Sequence, residues 1–556
     1  MNKEDFMSQT IEIPDFKNEP LFDFSKEEIR RDINNTLEGA ESIFGFRFPA
    51  IISGIDTYGV DISFKTRNPA DIDQVIGNFY GTTEKDVDNA ISVILGSREV
   101  SEWAQSSMKE RAPYLKKIAN NFREMRHFLT ALVVYEEGKI RTEADADVCE
   151  AIDFLEYYSE YGPFLEELNN KTLLNFPGQR NEARYLPGSP VPIFVSIQPW
   201  NFPVAISVGP TCAALLAGYS VIYKPSVYSS VVGYYIAKCI YDSGIPPDVF
   251  HFLPGSGRVV GKYLIDHPRV TGVAFTGSTD VGSSIEKSVF DFNREHIKSL
   301  SPALRFKKKV AALETGGKNA IIVDSDADVD QAVVGVYKSS FGYSGQKCSA
   351  CSRLIIVDSG TRLYDAVLSR LSERIADTKI GMPKDEATQM GPLINKSAVN
   401  NFYSYLNLAE AEGGRILVRG NVPAYLNGYF VEPVIVANVG ANSRFAQEEI
   451  FAPALAVFKV STFGDALMLA NNTEFGLTGG VYSRNPVNIQ MAKKYFNVGN
   501  LYINQKCTGA IVGRQPFGGF KMSGNGTKAG GWDYLLNFLY RKNISEDTMR
   551  HGAVLE

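Results

Sequence analysis

PIFVSIQPWNFPVAISVGPTCAALLAGYSVIYKP, residues 192–225, decides the fold. PIFVSIQP (192–199) is an apolar run of strand length, VGPTCAALLAG (208–218) has a helical pattern, and YSVIYKP (219–225) is a second strand that stops at a proline. The pattern continues downstream. SSVVGYYIAKCIYDSG (229–244) is a helix closed by Gly244, VFHFLPG (249–255) a third strand and GVAFTGS (272–278) a fourth. Strands roughly 25 residues apart with helices between them are parallel βαβ units. The fold class is α/β with a dinucleotide-type, Rossmann-like sheet.

A second α/β series follows. VAALETGGKNAIIVDSDADVDQAVVGVYKSSF (310–341) holds two strand-like runs and a helix, RLIIVDS (353–359) another strand, and TRLYDAVLSRLSERIADT (361–378) another helix. YFVEPVIVANV (429–439) and PALAVFKV (453–460) read as strands and TFGDALMLANNT (462–473) as a helix, which places a domain boundary near residue 314. Upstream, 82–95, 107–139 and 143–162 carry apolar residues at helical spacing, with Thr or Ser at the first two starts and acidic residues at the third. Residues 1–45 form an N-terminal extension whose segment 25–44 is helical.

The 556 residues are 44% hydrophobic, enough for two or three packed domains. Net charge is −6 and the densest basic run is Lys307 to Lys309, so nucleic acid and acidic membrane surfaces are not expected partners. The first residues lack a secretory or transit pattern, no apolar run has bilayer-crossing length, and the protein is expected to be cytoplasmic. Six cysteines are too sparse for a disulfide scaffold. Cys348 and Cys351 form C-x-x-C, but no second Cys or His pair completes a zinc site, and no metal is expected.

Chemistry-bearing residues cluster at strand ends. Asn201 follows the first strand, where an amide can donate to an oxyanion, although turn Asn is common before a proline loop. Lys224 ends the second strand, where it either meets a ribose or is solvated. FTGSTDVG (275–282) offers N–H groups and a helix start to a phosphate, yet is neither a Walker A motif nor G-x-G-x-x-G. Glu314 in LETGGKN (313–319) is a candidate general base at the domain boundary. Cys348 in SSFGYSGQKCSACSR (339–353) lies beside Lys347 and near Arg353, electropositive company that favours a thiolate. Local composition alone leaves it open between nucleophile and buried small hydrophobe. CTGAIVGRQPFGG (507–519) is a Gly-rich loop suited to an anion.

QPWNFP, KPS, FTGSTDVG, LETGGK, GQKC, EEIF (448–451) and PFGG (516–519), in this order, closely resemble the aldehyde dehydrogenase superfamily over roughly residues 65–545. GQKCSACSR, ADADVCEAIDFLEYY, TGAIVGRQPFGG and KAGGWDYLLNFL look most like its branch that oxidises L-glutamate γ-semialdehyde, in the single-function bacterial form.

That resemblance implies a function and a set of roles. The expected reaction is NAD-dependent oxidation of L-glutamate γ-semialdehyde, formed from 1-pyrroline-5-carboxylate in proline catabolism, to glutamate. Cys348 would be the nucleophile, Asn201 with the Cys348 N–H the oxyanion donors, and Glu314 the base that activates water. On the cofactor, Lys224 would meet the adenosine ribose with Ser226 beside it, Gly277 and Ser278 the pyrophosphate, and Glu449 the nicotinamide ribose, with Phe451 and Trp200 packing alongside. Ser349, Gly509 and Ala510 would clamp the substrate's α-carboxylate, Phe202 and Phe517 sandwich its chain, and Glu150 line the pocket. Val227 stands where NAD-preferring relatives often carry an acid, so some tolerance for NADP is implied, and Ala452 replaces a usual Gly.

The same likeness implies an NAD-binding domain (46–175 and 197–314), a catalytic domain (315–534), and a β-hairpin arm (176–196 with 535–550) that builds a homodimer or larger oligomer. Three rivals are weakened by the residues themselves. A cysteine hydrolase needs an activating His, and the five histidines lie in unrelated contexts. A CoA-acylating enzyme generally lacks the Glu314 equivalent, and an inactive relative would not keep Asn201, Glu314 and Cys348. The remaining alternative is an aldehyde dehydrogenase for another carboxylated or aliphatic aldehyde.

Overall fold

The computed structural model describes every residue except 1–12, 172, 175, 188, 297–307, 527 and 550–556. Two seven-stranded sheets dominate it. The first runs Val310–Glu314, Gly272–Thr276, Ile193–Ile197, Ser220–Lys224, Phe250–Phe252, Ala50–Ile52, Ile55–Thr57. Its first five strands are mutually parallel and the last two antiparallel additions. The central strands are buried on both faces and accordingly read as continuous apolar runs.

Register aligns the carboxyl ends of these strands. Thr276 pairs with Glu314, Phe275 with Ile197, and Ile197 with Lys224. One sheet edge therefore presents Lys224, the 198–203 loop, the 277–278 turn and Glu314 together, the edge where open α/β sheets bind ligands.

The second sheet runs Arg415–Arg419, Val434–Ala437, Ala454–Val460, Cys351–Val357, Asn319–Val323, Thr478–Tyr482, Asn500–Ile503, parallel except for its first pair. Its first strand in chain order starts five residues after Glu314, at Asn319, which pairs with Cys351. The amino ends of its central strands thus adjoin the carboxyl edge of the first sheet.

Helices cover the first sheet, and their starts follow the sequence signals. Thr83 and Asp86 form a reciprocal capping box at helix Glu84–Gly96, as Ser107 and Glu110 do at Met108–Glu124. The helical stretch expected over 107–139 is two helices, broken at Met125 (φ −89°, ψ 1°) before Arg126–Glu136. Helix Arg141–Lys171 is longer than its expected span, running past Pro163.

Strands Ile62–Asn68 and Asp71–Tyr80, with Phe46–Phe48, form a small sheet that sequence patterning did not mark. Gln179–Leu186 and Tyr540–Asp547 pair antiparallel over eight residues, as a projecting two-stranded ribbon. Among the described residues no helix is long and apolar enough to cross a membrane.

Candidate active site

Cys348 sits in a loop that the surrounding chain holds rigidly. Tyr343 and Ser344 adopt left-handed φ values of 50° and 54°, costly for side-chain-bearing residues unless they are tied down. They are tied. Tyr343 Oη donates to the Glu137 carbonyl at 2.9 Å and Ser344 Oγ to the Gly391 carbonyl at 2.7 Å. Gln346 Nε2 donates to the Pro392 carbonyl (3.2 Å) while its Oε1 accepts from the Ile394 N–H (2.9 Å). Asn319 Nδ2 then donates to the carbonyls of Cys348 (2.7 Å) and Ala350 (2.9 Å).

The two glycines of LETGGK allow the approach of this loop. A Cβ on Gly317 would meet the Cys348 carbonyl oxygen at 2.5 Å, and one on Gly316 the Glu449 carboxylate at 2.4 Å. In their absence the Gly317 N–H donates to Glu449 Oε1 at 2.8 Å.

Asn201 reaches the same loop from the first sheet, donating from Nδ2 to the Gln346 carbonyl at 3.2 Å. Its own loop is fixed from beneath, where Asp147 accepts from the Ala205 N–H (2.9 Å) and from Lys139 (3.0 Å). The Lys139 ammonium lies 3.8 Å from the Phe202 ring centroid, a cation–π contact. Glu314 closes the group. Its Oε2 is buried without a hydrogen-bond partner, and burial pushes its pKa up to about 8, against the opposing pull of Lys528 and the Gly519 N–H.

The structure corrects the electrostatics expected around Cys348. Lys347 is paired with Glu143 at 2.9 Å, and the Arg353 guanidinium is buried against the carbonyls of Lys318 and Ala470. Neither cation serves the thiol. Burial, with Glu449 and Glu314 nearby, instead pushes Cys348 up to about 12, and the Ser349 N–H offsets part of this. Cys351 is a core residue of the second sheet, its Sγ toward the Arg353 carbonyl. Among the described residues no group of three or more His, Cys, Asp or Glu side chains is arranged to hold a metal ion.

A cavity of about 830 Å³ opens along the carboxyl edge of the first sheet. Trp200, Lys224, Ser226, Val227, Gly277 and Ser278 line it. Lys224 is buried, its pKa brought down to about 8, and its Nζ donates to the Pro225 carbonyl at 2.8 Å. Helix Thr279–Asp291 begins at the cavity with Thr279 Oγ1 buried and unpartnered. Glu449 and Phe451 stand beyond Trp200. The Trp200 and Phe451 rings meet edge to face at 5.7 Å, and burial pushes Glu449 up to about 7. A buried cation, a free helix start and an aromatic end wall fit a dinucleotide.

The remaining expected positions are Ser349, Gly509, Ala510, Phe517 and Glu150. The Ser349 carbonyl accepts from Thr478 Oγ1 at 3.2 Å and from Cys507 Sγ at 3.6 Å, which fastens the 507–510 turn beside it. Gly509 in that turn has φ +73°, and Ala510 follows it. Phe517 exchanges two 2.8 Å main-chain hydrogen bonds with Ala529. Glu150, on helix Arg141–Lys171, is pushed up to about 8 by burial and by Asp147.

Residues 59–544 match the aldehyde dehydrogenase family. The chain belongs to it. Over 531 residues it is 41% identical to 1-pyrroline-5-carboxylate dehydrogenase of Geobacillus sp. (strain WCH70), covering 96% of this chain and 99% of that relative. It is 39% identical over 534 residues to 1-pyrroline-5-carboxylate dehydrogenase 2 of Bacillus subtilis (strain 168), with the same coverage. A crystal structure of 1-pyrroline-5-carboxylate dehydrogenase from Thermus with bound NAD superposes with a TM-score of 0.88 at 38% identity, covering 96% of this chain and 99% of that one.

Sequence reasoning missed several residues that this family member brings to the site. Gln346 and Asn319 shape the thiol loop, and Lys528 approaches Glu314. Lys506 Nζ lies 3.0 Å from where a Cβ on Gly509 would stand, and its pKa is lowered by burial and by Lys347 and Lys338. Lys506 directly precedes the quoted CTGA segment, so a basic residue flanking a Gly-rich anion loop was a usable signal.

Proposed function

We propose that the protein oxidises L-glutamate γ-semialdehyde, the open form of 1-pyrroline-5-carboxylate, to glutamate with NAD. The observation that carries this reading is the meeting of Asn201, the Cys348 loop and Glu314 at one end of the dinucleotide-sized cavity. The names of the relatives at 39 to 41% identity agree with it.

Cys348 gives up its proton to solvent water as its sulfur bonds to the aldehyde carbon and the carbonyl π pair moves onto oxygen, leaving a thiohemiacetal oxyanion. The Asn201 amide and the Cys348 N–H stabilise that charge without changing their own. A bound NAD would supply the hydride acceptor that takes this carbon to the oxidation level of a thioester on Cys348. Glu314 takes a proton from water as the water attacks the thioester, the carbon–sulfur bond breaks, and the carboxylate product leaves with the thiol restored. A buried base with a pKa near neutrality suits that step. Lys224, Ser226, Gly277, Ser278 and Trp200 hold the cofactor, with Glu449 and Phe451 at its nicotinamide end. Ser349 and the Gly509 and Ala510 N–H groups bind the α-carboxylate, Phe202 and Phe517 flank the chain, and Glu150 lines the pocket.

In this reading 46–175 with 197–314 is the NAD-binding domain and 315–534 the catalytic domain, a division supported by the two sheets falling on either side of Glu314, except that residues 193–196, within the span given to the arm, belong to the central strand Ile193–Ile197 of the first sheet. The ribbon within 176–196 and 535–550 is an arm for homo-oligomer assembly, supported by exposed Phe176 and Met549 next to its strands. Six free cysteines agree with a reducing cytoplasm.

The test is a side-by-side assay of glutamate γ-semialdehyde, succinate semialdehyde and an uncharged aliphatic aldehyde, each with NAD and NADP. Highest kcat/KM for glutamate γ-semialdehyde with NAD is expected. Preference for the uncharged aldehyde would refute the carboxylate clamp, and equal use of NADP would trace to Val227 in the cavity wall.

A further inference from the structure

Lys528 is half-buried, and its ammonium and the Glu314 carboxyl act on one another by charge. Its Nζ donates to the Gly518 carbonyl and, at 3.3 Å, to Asn500 Oδ1. The N–H of that same Gly518–Gly519 peptide, on Gly519, is directed at the Glu314 carboxyl. One peptide group thus has the ammonium on its oxygen and turns its N–H toward the carboxyl. Polarisation by the cation strengthens the N–H as a donor, as in any hydrogen-bonded chain.

Asn500 completes the fixture. Its Oδ1 also accepts from the Gly518 N–H (3.4 Å) and its Nδ2 donates to the Pro516 carbonyl (2.9 Å), so both polar ends of one amide grip the 516–519 loop. Gly499 is small where this happens. A Cβ there would stand 1.9 Å from the Gly518 carbonyl oxygen and 2.6 Å from Lys528 Nζ. Further along, residues 523 and 525 are tied to the chain on either side of Glu314: the Thr315 N–H donates to the Ser523 carbonyl (3.0 Å) and the Leu313 N–H to Asn525 Oδ1 (2.9 Å).

We propose that Lys528 is a positioning residue for thioester hydrolysis: through the Gly518–Gly519 peptide, and with Asn500, it holds the N–H that meets Glu314 and the loop that carries Phe517. The inference rests on Glu314 being the base in the reaction above. The charged and titratable groups in play are Lys528, Cys348 and Tyr534 around Glu314, and Glu314 and Asp533 around Lys528. Removing the ammonium takes away its direct pull on the carboxylate and weakens the peptide donor as well, so Glu314, still buried, binds its proton more tightly.

Burst kinetics with glutamate γ-semialdehyde and NAD, over about pH 6 to 10, test this in the full-length enzyme. In Lys528→Met the acid-side midpoint of the deacylation rate is expected to rise by about one pH unit, making that step about tenfold slower at neutral pH. The burst of NADH is expected to persist, and Lys528→Arg to restore most of the rate. Lys528→Gln carries the same test if the Met variant does not accumulate. A midpoint unchanged in Lys528→Met or Lys528→Gln, or a loss of rate equal at every pH and not recovered by Arg, would overturn the proposal. Glu314→Gln is run in parallel. Unimpaired deacylation in that variant would refute Glu314 as base, a different failure that removes the inference with it.

Discussion

The side-chain amide of Asn201 donates to the main-chain carbonyl of Gln346 at 3.2 Å. This bond crosses between the two sheets. Asn201 follows the strand Ile193–Ile197 of one, and Gln346 lies in the loop that precedes Cys351–Val357 of the other. The amide therefore already reaches the Cys348 loop from the first sheet.

Asn201→Ala removes that donor and leaves the cavity-lining residues in place. Turnover is expected to fall about 10²- to 10³-fold, the usual effect of losing one oxyanion donor. NAD affinity, measured by fluorescence titration, is expected to stay the same. Near-normal kcat in this variant would remove Asn201 from the mechanism.

Glu314→Gln keeps the shape of the base and abolishes its proton uptake. The expected trace is a rapid burst of NADH followed by a slow steady state, because thioester forms and then waits for water. In the wild type the base has a pKa near 8, so the steady-state rate is expected to climb from pH 6 toward pH 9 as Glu314 ionises. A single linear phase in the Gln variant, at the wild-type rate, would contradict this assignment.

Resting Cys348 is expected to react slowly with iodoacetamide at neutral pH, because burial, Glu449 and Glu314 hold its thiol up to about 12. The sign is fixed by charge: a neighbouring carboxylate disfavours the thiolate, so removing one lowers the thiol pKa. Glu449→Gln, whose side-chain oxygen still accepts from the Gly317 N–H, is expected to alkylate about tenfold faster, one pKa unit being a factor of ten. A slower reaction would show that Glu449 acts on Cys348 otherwise than through its charge.

The path from strand pattern to site was short for Asn201, Lys224 and Glu314, because Lys224 and Glu314 end parallel strands, Asn201 lies in the loop that follows one, and register puts these strand ends on one edge. The electrostatics of Cys348 were not legible. Whether Lys347 faces the thiol depends on Glu143, 204 positions away in the chain, and the nearest charge on the thiol, Glu449, is also remote in sequence. Lys528 escaped notice for a similar reason, since its partner is a peptide carbonyl, which has no residue identity to read. The strands Ile62–Asn68 and Asp71–Tyr80 lack clean alternation, as their three register shifts explain.

Lys506 offers a specificity test that separates charge from fold. Its ammonium lies beside the Gly509 turn, partly desolvated and close to Lys347 and Lys338 with Glu143 pulling the other way, and among the described residues it makes no salt bridge. Lys506→Met is expected to raise KM for glutamate γ-semialdehyde several-fold, roughly the effect of 1 kcal/mol, while leaving KM for an uncharged aldehyde unchanged. An equal rise for both substrates would assign Lys506 to the shape of the loop.

Lys139 and Asp147 form an ion pair 3.0 Å apart with both side chains almost fully buried. Lys139→Met leaves Asp147 charged and buried with only the Ala205 N–H for compensation, and a loss of about 3 to 5 kcal/mol in unfolding free energy is expected from denaturant titration. Adding Asp147→Leu removes the stranded charge and is expected to return part of that loss. Recovery cannot be complete, because the Ala205 N–H then loses its acceptor, at a cost of about 1 to 3 kcal/mol. A double variant no more stable than Lys139→Met would show that the pair acts chiefly through Phe202, on which the ammonium rests.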